Sequence, residues 1–295
     1  MATKVCLITG ANNGFGFETS KELARQGITI VMVCRSQKRG ETAQQAIYKE
    51  TSQLPDLLIA DLTIQAQVKR VASEFRAKYD RLDILINNAG FAYTPRQETD
   101  EGFEKTFALN YLAYVTLTLE LIDLLISSSP SRIINTASEA HRWQDISFDN
   151  LQGEQDFPAA QFGMPMMYGW TNVHRIMLTH ELAHRLDATG VVVNAFCPGF
   201  VPVKRSSMPW YLNMLAPLMS LMPSARSTKD VAQDIIRMAV SPELADKTGL
   251  YYSSGQLTRS SEQTYDREAS TKLWDTTIEL LGYERNLLDT VTNVK

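Results

Sequence analysis

Tyr168 and Asn172 stand four positions apart in the stretch MMYGWTNVHR, which on a helix places a phenol and an amide on one face. An unperturbed phenol titrates near ~10, so about one molecule in a thousand is ionised at neutral pH. An amide one turn away can donate and accept hydrogen bonds but brings no charge to change that ratio. The pair therefore suits proton donation to a substrate oxygen better than proton removal from one. Arg175, three residues beyond Asn172 on a neighbouring part of the same face, is the nearest cation. It either reaches the site or packs along its helix, alone or paired with a carboxylate.

A second chemical signal sits near the N-terminus. In TGANNGFG, residues 9–16, Gly10 permits a tight turn, Gly14 lets backbone approach a pyrophosphate, and Gly16 allows close helix packing. The N–H groups of the following helix then face phosphate. The spacing is not G-x-G-x-x-G, so the reading rests on position, between the first strand and the first helix. At the end of the second strand, VCRSQKR places Arg35, with Lys38 and Arg39, where an acid would hold ribose hydroxyls and a base accommodates a 2′-phosphate. NADP(H) is expected over NAD(H). A third motif, HELAH at 180–184, matches the zinc-protease pattern H-E-x-x-H. No histidine follows His184 and the next glutamate is Glu243, so a helix surface is expected and no metal.

The elements that must position these residues alternate. KVCLITG, ITIVMVCR, PDLLIADL, LDILINNAG, SRIINTAS, GVVVNAFCPG and GLYYSS read as strands. Helical spacing marks FETSKELARQG, residues 38–53, 64–79, 100–127, the Tyr168 segment, 228–240 and 265–281. Continuous apolar strands between amphipathic helices predict an α/β fold: a single domain over residues 1–295 with a Rossmann-type doubly wound parallel sheet, flanked by helices on both faces. Two long irregular stretches, 139–165 and 199–226, follow strands, where an open α/β sheet builds its ligand site. Met164, Met166 and Met167 close the first; Met208, Trp210, Tyr211, Met214, Leu218, Met219 and Met222 populate the second. Methionine repacks easily around irregular apolar ligands, so 199–226 reads as an apolar substrate lid over a bulky hydrophobic substrate, although each residue singly suits a core equally well.

With 295 residues, 44% of them hydrophobic, the chain can bury a sizeable core. A net charge of −4 without a basic block gives nucleic acid no footprint. Cys6, Cys34 and Cys197 lie in apolar stretches, as buried thiols of a reducing compartment do. The start MATKVCLITG enters a strand directly rather than a signal peptide, and no apolar run reaches the length of a membrane span. A cytoplasmic location is expected. Peripheral membrane contact through residues 208–223 and homo-oligomer formation are both compatible with the sequence.

TGANNGFG, NNAG at 87–90, the serine after RIINTAS and the Tyr168 helix followed by NAFCPG together resemble the short-chain dehydrogenase/reductase family. SEAHRWQDISFDNLQGE, LTHELAHRLDATGVVVNAFCPG and SPELADKTGLYYSS look like its retinol-dehydrogenase-like branch, with protochlorophyllide reductases as cousins. The resemblance implies that Thr9, Gly10, Asn12, Asn13, Gly14, Phe15 and Gly16 form the pyrophosphate turn. It implies that Asp61 and Leu62 flank the adenine, that Asn87, Ala89 and Gly90 support the sheet beside the cofactor, and that Pro198, Gly199 and Val201 contact the nicotinamide. Asn110 matches the helix asparagine that organises a relay water, Ser138 the serine that bonds the substrate oxygen, Tyr168 the general acid/base, and His141 a loop-fixing residue.

The departures matter as much. The family expects Tyr-x-x-x-Lys; here Asn172 takes the lysine's place, and Val203 stands where the branch usually has threonine. The interval from Ser138 to Tyr168 is also longer than the branch implies, as if residues were inserted around 155–166. The family's lysine holds the nicotinamide ribose and lowers the tyrosine's pKa, each unit being worth about 1.4 kcal/mol. Asn172 can bond a ribose hydroxyl without that charge. Surviving redox activity is therefore expected to favour carbonyl reduction. Two alternatives remain: an isomerase, cyclase or lyase on the same scaffold, and a non-catalytic nucleotide-binding protein.

Overall fold

A computed structural model describes residues 3–155, 166–202 and 219–288. Seven strands run parallel: β1 (Val5–Thr9), β2 (Thr29–Cys34), β3 (Asp56–Ile59), β4 (Ile84–Asn87), β5 (Ser131–Thr136), β6 (Val191–Cys197) and β7 (Leu250–Ser253). An eighth, β8 (Gln256–Thr258), pairs antiparallel with β7. The order is β3-β2-β1-β4-β5-β6-β7-β8. Chain direction across the sheet thus reverses between β1 and β4, which opens a crevice at their carboxyl ends.

Alternation along each strand sends side chains to two cores. Leu7 and Ile133 join one, while Cys6, Ile8 and Ile134 join the other. Helices α3 (Gln65–Lys78), α5 (Ala113–Ser127), α6 (Met166–Arg185) and α8 (Arg267–Leu280) cover the first core through residues such as Val71, Phe75, Leu121, Met177 and Trp274. Helices α1 (Gly14–Arg25), α2 (Gln37–Thr51) and α7 (Thr228–Val240) cover the second through Leu23, Ile47, Val231 and Ile235. Both faces of the sheet are dry, which is why its strands read as unbroken apolar runs. All three cysteines are buried free thiols; burial pushes Cys34 up to about 11.

Two features differ from the sequence reading. The helix expected over 100–127 begins only at Lys105: a single turn, α4 (Lys105–Phe107), passes through a π-turn (Ala108–Leu112) into α5. Glu104 stops the helix from extending backwards, because its carboxylate accepts from Phe107 N at 2.6 Å as a cap does. The other is β8, whose three residues are all exposed and so carry no alternation to read. Its hairpin is made by Ser254 (φ 50°) and Gly255 (φ 77°), two left-handed residues as a tight hairpin turn demands. No helix among the described residues is long and apolar enough to cross a membrane.

Candidate active site

The turn after β1 is built to leave donors free. Gly10 has φ 68°, and a Cβ there would meet Ala89 Cα at 3.1 Å. At Gly16 a Cβ would lie 2.6 Å from Asn88 Nδ2 and 2.8 Å from the Gly10 carbonyl, so α1 packs against the turn only as glycine. Gly14 has φ 58° with nothing within 4 Å of its missing Cβ, and Asn13, the N-cap of α1, makes no side-chain capping bond. The first-turn N–H groups therefore stay available to an anion. Asn12 and Phe15 are half-buried beside them. Thr9 closes the turn from below, its hydroxyl accepting from the N–H groups of Asn88 at 2.8 Å and Ala89 at 2.9 Å.

Asn87 belongs to the sheet interior. Its amide donates to Asn135 at 3.0 Å and Thr118 at 3.3 Å, and Asn135 donates on to Thr179 at 3.0 Å. This polar ladder joins β4, β5, α5 and α6. Buried side-chain oxygens of Asn87, Asn88 and Thr136 lack partners, all at or just past the carboxyl ends of β4 and β5. Orphaned buried acceptors next to free helix donors fit a large polar ligand, so the residues present suit a dinucleotide.

Past the carboxyl end of β2, Arg35 and Arg39 are exposed. Arg35 donates to the Tyr93 hydroxyl at 3.2 Å. Asp61 turns inward, its Oδ1 accepting from Thr63 N and Oγ1 at 3.0 and 2.8 Å. The side chains of Leu62 and Val201 are buried in the two cores, and leave only backbone near the crevice. Gly199 (φ 74°) is required, since a Cβ would strike Ser254 Oγ at 2.3 Å; the Pro198 carbonyl accepts from Arg226 at 3.2 Å.

Ser138 is half-buried at the start of a short 3-10 turn and accepts from Ala140 N at 3.3 Å, keeping its own proton to donate. Its loop is clamped by His141, whose Nδ1 meets the Ser138 carbonyl at 2.7 Å while Nε2 accepts from Ser261 N at 3.1 Å. Burial lowers the His141 pKa, consistent with an imidazole that accepts. Glu139 and Tyr251 extend the clamp through a 2.7 Å bond. Tyr168, in the first turn of α6, is half-buried.

Asn172 and Arg175 follow Tyr168 along α6. Asn172 is 0% exposed; its amide donates back to the Tyr168 carbonyl at 2.6 Å and its Oδ1 accepts from Arg175 Nη1 at 3.4 Å. Both groups of its amide are thus engaged within α6. Arg175 instead carries the charge. It is 2% exposed, donates from Nε to the Asn110 carbonyl at 2.5 Å and from Nη2 to the Ala89 carbonyl at 3.3 Å, and stacks 4.5 Å from the Tyr114 ring centroid. The main-chain carbonyl of Asn110, the residue that the resemblance matches to the organiser of a relay water, is thus occupied by a guanidinium. Two backbone features accompany this contact: Asn110 lies within the π-turn, a distortion frequent at functional sites, and Gly90 lacks the Cβ that would sit 2.9 Å from Nη2. Every acceptor of Arg175 is neutral; among the described residues no carboxylate pairs with it. Tyr114, pushed up to about 12 by burial, pulled down by Arg175 and raised by Tyr168, shares the Ala89 carbonyl at 3.0 Å. Asn110 is itself committed: its amide donates to Thr171 at 3.1 Å and its oxygen accepts from Phe91 N at 3.0 Å.

The remaining histidines lie elsewhere. His174 is buried against Phe107 and Tyr111. In HELAH, His180 meets the Thr264 carbonyl at 2.7 Å, Glu181 pairs with Arg185 at 2.7 Å, and His184 is exposed. Met167 belongs to the core at 0% exposure, so it lines no pocket. Val203, Met164, Met208, Trp210, Tyr211, Met214, Leu218 and the expected insertion around 155–166 fall wholly or mostly outside the described residues.

The doubly wound sheet and the open glycine turn after β1 agree with what the chain is similar to. Residues 4–148 match the short chain dehydrogenase family. Retinol dehydrogenase 12 of Mus musculus is 35% identical over 282 residues, covering 95% of this chain and 87% of that protein. Retinol dehydrogenase 14 of Homo sapiens is 33% identical over 301 residues, covering 96% and 87%. The chain belongs to the short-chain dehydrogenase/reductase family, in its retinol-dehydrogenase-like branch, and is an oxidoreductase of that type using a nicotinamide cofactor. Solved structures agree on the fold. An uncharacterized protein of Mycobacterium paratuberculosis superposes with a TM-score of 0.73 at 24% identity, covering 96% of this chain and 95% of that one. L-sorbose reductase of Gluconobacter frateurii, solved with NADPH and L-sorbose, gives 0.68 at 20% identity, covering 86% and 95%.

Proposed function

We propose that the protein is an NADP(H)-dependent reductase of a bulky hydrophobic carbonyl compound, a retinoid-like aldehyde being the first candidate from the names its relatives carry. The observation that carries this reading is the buried Arg175 guanidinium. Burying a cation without a carboxylate is costly, and a chain that served only to bind a nucleotide would have no use for one bonded to the Asn110 carbonyl two turns along α6 from Tyr168. The cofactor supplies the reducing equivalents. Ser138 donates a hydrogen bond to the carbonyl oxygen, and the Tyr168 hydroxyl delivers the proton. Arg35 and Arg39 would hold the 2′-phosphate. The stems of the 199–226 segment meet through the Phe200–Ala225 bridge and an Arg226–Asp234 ion pair of 2.6 Å, and the exposed Leu221 and Met222 give that segment the apolar character of a substrate lid within one domain. The buried thiols suit a reducing, cytoplasmic location.

The test is a fluorescence titration with NADPH and NADH, followed by NADPH consumption with hydrophobic aldehydes and ketones. Saturable NADPH binding and steady consumption are expected; binding of neither cofactor would overturn the proposal. One observation favours a second reading. Asn172 is withdrawn from the crevice, which suits an isomerase, cyclase or lyase in which Ser138 and Tyr168 only position an oxygen. Product formation without net cofactor turnover would identify it.

A further inference from the structure

The loops of the two strands that flank β1 are tied together by a single side-chain bond. Arg35 follows β2 directly, and Tyr93 follows β4 by six residues; the guanidinium donates to the phenol oxygen at 3.2 Å. Tyr93 is held for this contact. Its N–H donates to Thr106 Oγ1 at 3.1 Å, its ring lies edge-on to Phe91 at 4.8 Å, and the Lys105 ammonium stands 5.9 Å from its centroid. Burial pushes the phenol's pKa up, Arg35 pulls it down, and Asp61 and Glu104 raise it. A neutral hydroxyl results, able to accept from the guanidinium while keeping its own proton.

We propose that Tyr93 is a cofactor-selectivity residue, which positions the Arg35 fork for the 2′-phosphate of NADP(H). This rests on the NADP(H) reading above. A free arginine side chain on the surface carries considerable rotamer entropy, and tethering one N–H before binding removes part of the ordering that binding would otherwise require. Five N–H donors less one leave enough for a bidentate phosphate contact. NADH has no phosphate to meet this fork, so Tyr93 contributes nothing to its binding. Tyr93 acts through Arg35 and is a positioning residue.

The experiment measures Kd for NADPH and NADH on the full chain and on Tyr93→Phe, Arg35→Ala and the double variant. Phenylalanine keeps the ring contacts and removes only the hydroxyl. Expected is about a 3–10-fold weaker NADPH affinity in Tyr93→Phe, NADH affinity unchanged, and no further NADPH loss when Tyr93→Phe is added to Arg35→Ala. Equal weakening of both cofactors, or no change in either while Arg35→Ala abolishes the preference, would overturn the role of Tyr93 and leave the NADP(H) reading standing. An unaltered NADPH-to-NADH ratio in Arg35→Ala would remove that reading, and the role of Tyr93 with it.

Discussion

The glycine turn at Gly10–Gly16 and the junction around Arg175 lie together at the carboxyl end of the sheet, yet they treat hydrogen-bond donors in opposite ways. The turn keeps its donors open: α1 starts without a side-chain cap and Gly14 faces empty space. The junction closes on itself, with the guanidinium bonded to Asn110, Asn172 and Ala89 and stacked on Tyr114. A region that awaits an anion must leave N–H groups unsatisfied until the ligand comes. A region that supplies a fixed charge must satisfy that charge with neutral acceptors, so that its field is not cancelled by a carboxylate.

The largest effect should come from the junction. Arg175→Met removes the guanidinium from the Asn110 carbonyl and leaves the Ala89 carbonyl to Tyr114 alone, and is expected to lower stability by roughly 2–4 kcal/mol and activity by about 100-fold or more. Denaturant midpoints and turnover at saturating NADPH measure both. Wild-type values would show that the junction is not the closed unit described. Next, Gly16→Ala pushes a methyl into the Gly10 carbonyl and Asn88, an overpacking of about 1–3 kcal/mol that should weaken NADPH at least tenfold. Gly90→Ala, meeting mainly the movable end of Arg175, should instead reduce turnover more than cofactor affinity. The reverse pattern would erase the division of labour between the two regions.

Acid should weaken the α6 side selectively. His174 is held down to about 3 by burial, so below its unfolded value near ~6.5 the unfolded chain binds a proton that the folded one refuses. Its contribution is complete above pH ~6.5 and is lost as pH falls towards 3, by about 1.4 kcal/mol per pH unit. His174→Leu should flatten that limb in urea titrations at pH 6.5 and 5.5; an unchanged slope would place the acid sensitivity elsewhere. The smallest contrast compares two helix starts. Ser227 forms a capping box with Asp230 on α7, so Ser227→Ala should cost about 1 kcal/mol. Asn13→Ala should change stability by less than about 0.5 kcal/mol, since Asn13 caps nothing. An equal loss at both positions would contradict the open turn.

Much of the nucleotide half was legible in the sequence because its chemistry is local. Gly10 and Gly14 adopt the left-handed conformations that the turn needs, and Arg35 sits directly after its strand. Even there, Asn88 and Tyr93 escaped notice as contacts of Gly16 and Arg35, because the partners are 72 and 58 residues apart. The catalytic half was legible in its residue types but not in its connections. The bonds of Asn172 to the Tyr168 carbonyl and Arg175 could not be read from its type, and the π-turn at Asn110 left no trace in the apolar run ALNYLAY. The hairpin strand β8 was missed because three exposed residues carry no pattern.

The amino-acid sequence alone determined the order of strands and helices, the two-faced burial of the sheet and the glycine turn. These follow from apolar periodicity and from backbone angles that neighbours in the chain impose. Only the tertiary structure decided where the positive charge of the site resides. Whether Arg175 is buried, solvated or paired with a carboxylate depends on the Asn110 carbonyl 65 residues earlier and on a missing Cβ 85 residues earlier, and no local propensity encodes contacts at that distance.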